Sequence, residues 1–168
     1  MIMVNYNYNK RMSLLAKEYH LSFENDYNAV YLTKAMKYTL TEGIQEKWNG
    51  LNVYYMIKSP SFCNQIWKGG FDFFYEDLTG NEYSNNKIIF EIGKYTGYAL
   101  KKGISFCHKL IDILPKSHEF NVIMSVDEKY VTISFHLVRD GETWLGDDLE
   151  VYKSDAVLVL HVINKDIS

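Results

Sequence analysis

The stretches "EFNVIMSVDEKYVTISFHLVR" and "DAVLVLHVI" constrain the fold more than any other part of the chain. In the first, Val131, Ile133, Phe135 and Leu137 alternate with Thr132, Ser134 and His136. Successive side chains of a strand point to opposite faces, so a period of two predicts a strand with one apolar and one polar face. The short link "DEK" between "EFNVIMSV" and "YVTISFHLVR" predicts a hairpin connection. "DAVLVLHVI" is apolar at both parities, as an interior strand covered on two sides would be. An antiparallel sheet of this kind needs an apolar layer against it, and the rest of the chain must supply it.

The clearest helical pattern is "ENDYNAVYLTKAMKYTLTEGIQEKWNG", residues 24–50, where Leu32, Met36, Leu40 and Ile44 recur every four residues. Asn25 or Asp26 can cap it, and Asn49-Gly50 predicts its end. "LNVYYMIKSP" alternates as a strand up to Pro60, and "CNQIW" and "FDFFYEDL" predict short strands joined at Gly69-Gly70. Residues 86–114 admit two readings: one glycine-weakened helix, or a strand "KIIFEIG" followed by a helix. Together these predict an α+β fold, mainly antiparallel sheet in the C-terminal half packed against two or three helices. The 168 residues suffice for one core and contain no Pro- or Ser-rich linker, so a single domain over 1–168 is expected.

Composition narrows the function classes. Cys63 and Cys107 lie far apart and form no paired framework, which predicts two reduced thiols. The N-terminal "MIMVNYNYNKRMSLLAKEYH" lacks the order of a secretory signal, and no window approaches the roughly 18 continuous apolar residues of a spanning helix. A cytoplasmic protein without membrane association is the expectation. Fourteen tyrosines favour wet core edges and partner surfaces.

No motif for cofactor chemistry is present. The histidines His20, His108, His118, His136 and His161 show no metal-protease spacing, and neither phosphate-cradling glycine motifs nor a nucleophile elbow occurs. No metal, cofactor or catalytic residue is therefore assigned. The best enzyme-like arrangement would be a small hydrolase or nuclease-like site using His136 with nearby carboxylates. On the polar face of a strand, His136 is instead expected to be an exposed residue. "NYNYNKRM" and "KYTGYALKKG" mix aromatics with cations, as base-stacking surfaces do, but the overall acidity argues against direct nucleic-acid binding.

The charge is unevenly spread. The net charge of −3 conceals a segment, residues 119–155, where nine acids face three bases, so that segment is −6 and the remainder +3. Within it, "RDGETWLGDDLE" gathers Glu142, Asp147, Asp148 and Glu150 around Trp144, and Asp140-Gly141 predicts a turn. Trp144 on this loop is either tucked beneath it, the commoner arrangement, or offered to a partner, where acids around a large aromatic match the make-up of an interface anchor with an electrostatic rim.

The pieces "SFHLVRDGETWL", "DDLEVY" and "AVLVL" resemble the C-terminal part of small bacterial immunity proteins, particularly those of contact-dependent growth inhibition systems. The resemblance implies a cytoplasmic, cofactor-free binder of a cognate toxin domain, often a nuclease with a basic cleft. On that expectation Glu128, Glu142, Trp144, Asp147, Asp148 and Glu150 are the candidate partner-binding residues, their carboxylates standing in for phosphates.

Overall fold

The computed structural model describes residues 2–58 and 76–164. In chain order the elements are β1 (Ile2–Tyr8), α1 (Lys10–Glu18), α2 (Lys34–Glu42), β2 (Ile44–Asn49), β3 (Asn52–Ile57), α3 (Leu78–Asn85), β4 (Ile88–Glu91), α4 (Thr96–Ile113), β5 (Phe120–Val126), β6 (Tyr130–Leu137) and β7 (Ala156–Asn164). Five strands form an antiparallel sheet in the order β1-β7-β5-β6-β4, while β2 and β3 form a separate hairpin. The fold is α+β, with most of its sheet in the C-terminal half.

The register aligns the apolar parities. Val122 faces Phe135 on one side and Leu160 on the other, so Phe120, Val122, Met124, Ile133, Phe135, Leu158 and Leu160 form one buried sheet face. Against it lie Leu100, Ile104 and Leu110 of α4, together with Met12 of α1 and Met36 of α2. Burying each such side chain contributes about 1.5–3 kcal/mol, which makes this layer the main stabilising element. Gly103, in the middle of α4, sits where a Cβ would come within 2.8 Å of the Met124 side chain. The close approach of helix and sheet offsets the roughly 1 kcal/mol that glycine costs inside a helix.

As the sequence predicts, β7 is interior. Leu158 and Leu160 enter the main core, while Val157 and Val159 turn to a second cluster with Ile123, Tyr83, Leu149 and Trp144. The neighbour of β7 on its other side is the N-terminal strand β1, which pairs with it from Ile2↔Asn164 to Tyr8↔Leu158. That strand is absent from the sequence reading because Asn5 and Asn7 break its apolar character.

The helix predicted over 24–50 is corrected to the nine residues of α2. Thr33 caps it by accepting the Met36 amide, Gly43 ends it, and the following residues form β2. Asn49-Gly50 is a hairpin turn rather than a helix stop. Gly50, at φ 61°, occupies the first central position, where a type II′ turn requires glycine. The four-residue spacing did identify burial, since Met36 is fully buried and Leu32, Leu40 and Ile44 pack against the core. Residues 86–114 adopt the strand-plus-helix alternative, as β4 and α4. The segments "CNQIW" and most of "FDFFYEDL", with Cys63, lie outside the described residues. Cys107 is a buried free thiol whose pKa burial pushes up.

Candidate functional site

The acid-rich connection between β6 and β7 lies across the sheet face opposite α4. It leaves β6 where Leu137 faces Phe120, and it enters β7 where Ala156 faces Val126, at the other end of the sheet. It therefore travels the length of β5, covering Ile123, Val157 and Val159 with Trp144, Leu145, Leu149 and Tyr152.

Its first anchor is Arg139. A turn closes with the Glu142 amide donating to the Arg139 carbonyl at 3.3 Å, and Gly141 takes φ 76°. Asp140-Gly141 is thus the turn that the sequence predicts. The Arg139 guanidinium donates from Nη1 to Glu82 Oε2 at 2.7 Å and from Nη2 to the Val53 carbonyl at 2.9 Å. Glu82, on α3, has a fully buried side chain, and its two oxygens also accept the amides of Tyr55 (2.7 Å) and Leu137 (2.9 Å). Just past the helix, Asn86 accepts the Ile57 amide at 3.0 Å and donates to the Tyr55 carbonyl at 2.8 Å. One helix thereby fastens the edge of β3 to the end of β6 through side chains instead of a strand ladder. Burial raises the Glu82 pKa above its ordinary value, and the Arg139 charge and hydrogen bonds only partly oppose this.

The candidate carboxylates have distinct placements. Glu142 is half-buried, and its Oε2 accepts the Thr79 amide (3.0 Å) and hydroxyl (2.8 Å) in the first turn of α3. Glu150 accepts the Lys10 amide at 2.6 Å, at the first residue of α1. Each carboxylate therefore meets the positive end of a helix dipole, which is favourable locally. Asp148 accepts the Glu150 amide at 2.9 Å and caps the short 3-10 turn Leu149–Val151. Asp140 and Asp147 are exposed. Glu128 is exposed on the β5–β6 turn, at the end of the sheet opposite Arg139 and Glu142. Asp140, Asp147, Asp148 and Glu150 are exposed along the connection, and among the described residues no group of three or more His, Cys, Asp or Glu could hold a metal ion.

Trp144 is half-buried and stacks on Tyr83, with ring centroids 4.4 Å apart and planes at 20°. The far end of the connection is tied by Asn9, whose side chain donates to the carbonyls of Tyr152 (3.3 Å) and Asp155 (2.8 Å). The same side chain accepts the amides of Met12 and Val157, both at 3.0 Å. An acid-rich segment with little regular structure is thus held at both ends and in its middle.

His136 corrects an expectation. It is 3% exposed rather than a surface residue, with Nδ1 2.9 Å from the Leu137 carbonyl, and burial lowers its pKa. The polar parity of β6 is covered: Ser134 donates its hydroxyl to the Tyr83 carbonyl at 2.6 Å. The residues that organise the site, Glu82, Asn86, Arg139 and Asn9, were not singled out from the sequence. The sequence around Glu82 is turn-rich, with "FDFFYEDL" predicted as a strand through Leu78, and Asp77 as a helix cap is the one local signal of α3. Trp48, 61% exposed on the β2–β3 hairpin, was also hidden by the helical reading, while Leu51, 95% exposed, lies in the turn where the strand reading began.

Among the described residues no helix is long and apolar enough to cross a membrane. No curated protein and no solved structure matches the chain. The model of the Uncharacterized protein PM0498 family matches residues 7–166, and the chain belongs to that family.

Proposed function

We propose that this protein is a cytoplasmic immunity protein that binds a cognate nuclease toxin domain and occludes its active site or substrate-binding surface, without turnover of its own. The observation that supports the reading is the immobilised acidic connection, on which Asp140, Asp147 and Asp148 are exposed between fixed anchor points. A segment already ordered loses little conformational entropy on binding. Exposed carboxylates also attract a cleft built for phosphate and speed encounter with it. Glu128, Glu142 and Glu150 add to the same negative field, and Trp144, stacked on Tyr83, packs the connection onto the sheet. The alternative of a hydrolase centred on His136 would need substrate to reach a ring that is almost fully buried.

The test is binding kinetics against the nuclease toxin domain proposed as the partner, at two salt concentrations. The Debye length falls from about 10 Å at 0.1 M to about 3 Å at 1 M, so steered association should slow at the higher salt. Asp147→Lys with Asp148→Lys should slow association further and flatten the salt response. Asp148→Asn, which keeps a capping oxygen, separates the loss of charge from loss of the turn. Unchanged kinetics in the double reversal would remove this face from the interface.

A further inference from the structure

The start of α4 borders a cleft of about 750 Å³ that neither the core nor the acidic connection uses. It is lined by Tyr19, Tyr31, Tyr95 and Tyr98, by Lys94, and by the first turn of α4. The cleft is broad and largely open to solvent, and its size lies within the roughly 300–1,000 Å³ of small-molecule sites. Tyr31 and Tyr95 are 82% and 76% exposed, an unusual display for two large aromatics beside one cavity. The cleft is also built: the Tyr31 amide donates to the Tyr98 hydroxyl at 2.7 Å. Gly97 lets the Tyr19 ring lie against the helix backbone, where a Cβ would be 2.9 Å from that ring.

The charge of the cleft decides what it can take. Four tyrosines could in principle cage a cation. Here, however, Lys94 is the formally charged residue of the lining, and no Asp or Glu appears among the described lining residues. The Lys102 ammonium, outside the lining, stands 5.1 Å over the Tyr98 ring and 5.6 Å over the Phe90 ring. The α4 start has no side-chain cap and no acid in its first turn, so its dipole adds to the same positive field. Aromatic faces beside cations suit a planar base joined to a phosphate.

We propose that this cleft is a nucleotide-binding site, with the base stacked on Tyr95 or Tyr31 and the phosphate held by Lys94. It is independent of toxin binding and draws on the motif "KYTGYALKKG", which the acidic surface leaves unused.

The experiment is ligand-observed NMR and calorimetry on the full chain with AMP, adenosine and inorganic phosphate as separate probes. AMP should bind below about 1 mM, with adenosine and phosphate each weaker by about tenfold or more, because each lacks one of the two contacts. Tyr95→Ala and Lys94→Ala alter exposed side chains and should leave the melting temperature unchanged. Each should weaken AMP by about tenfold, and Lys94→Ala should also flatten the salt dependence. A single-stranded oligonucleotide distinguishes the sources of this chemistry: binding much tighter than AMP assigns the site to a strand, and equal binding to a free nucleotide. No AMP binding at millimolar concentration, or equal binding by both variants, would overturn the proposal.

Discussion

Glu82 Oε2 lies 2.7 Å from Arg139 Nη1, and the Glu82 side chain is completely buried while the Arg139 side chain is 14% exposed. This pair joins α3, the end of β6 and the edge of β3 at one point, because the same two side chains also bind Tyr55, Leu137 and Val53 backbone groups. Arg139 is also where the acidic connection begins. The buried ion pair therefore anchors the connection at its β6 end, as Asn9 anchors it at its β7 end.

Breaking that pair from one side leaves an uncompensated buried charge, which typically costs about 3–5 kcal/mol. Glu82→Ala and Arg139→Ala should each lose that much in urea unfolding. The double variant should lose clearly less than their sum, since neither charge is then orphaned. Additive losses would show that the two residues act separately.

The two buried titrating groups should act in opposite directions with pH. Burial raises Glu82 above its ordinary value of 4.5, so its contribution to stability is present below 4.5 and lost as pH rises through the folded-state value. Burial lowers His136 below 6.5, so its contribution is present above 6.5 and lost as pH falls through the folded-state value. Melting temperatures from pH 4.5 to 7.5 check both. His136→Leu should flatten the loss on the acid side, whereas Glu82→Gln should steepen it. Parallel profiles for all three proteins would contradict the assignment.

His136→Ala should destabilise the protein by about 1–3 kcal/mol, as expected for a buried hydrogen-bonding group. A surface histidine would give a loss near 0.5 kcal/mol. Chemical denaturation distinguishes the two outcomes directly.

Asn9 makes four side-chain hydrogen bonds and is 2% exposed. Asn9→Ala removes a helix cap and orphans buried backbone groups, a loss of about 2–3 kcal/mol. Hydrogen exchange should speed at the Met12 and Val157 amides before it does so in the centre of the sheet. Uniform acceleration would place the effect elsewhere.

Trp144 and Tyr83 should couple by about 0.5–1.5 kcal/mol in a double-mutant cycle, the usual range for a stacked aromatic pair. Trp144→Phe should retain part of that energy and Trp144→Ala none of it. A coupling of zero would mean that the stacking does not hold the connection.

Where period and turn chemistry are local, the sequence was informative. Alternation in residues 130–137 and the double-sided apolarity of 156–163 identified β6 and β7, since strand faces repeat every two residues whatever lies opposite. Asp140-Gly141 marked a turn because its positive φ is a local demand. Asn49-Gly50 carried equally local information, but a four-residue apolar spacing before it favoured a helix where a hairpin forms.

What only the tertiary structure decided is the fate of the polar residues. The sequence established an α+β protein with an acidic C-terminal segment. It did not indicate that "LTGNEYSN" is a buried helix, because Glu82 meets its amide partners 27 and 55 residues away. Nor did it show that Glu142 and Glu150 meet helix starts while Asp147 stays exposed. A buried polar group is tolerated only when its hydrogen-bonding partners are in place, and those partners come from segments brought together by the fold. Hydrophobic periodicity records which face turns inward; it carries no record of which distant amide a carboxylate will find there.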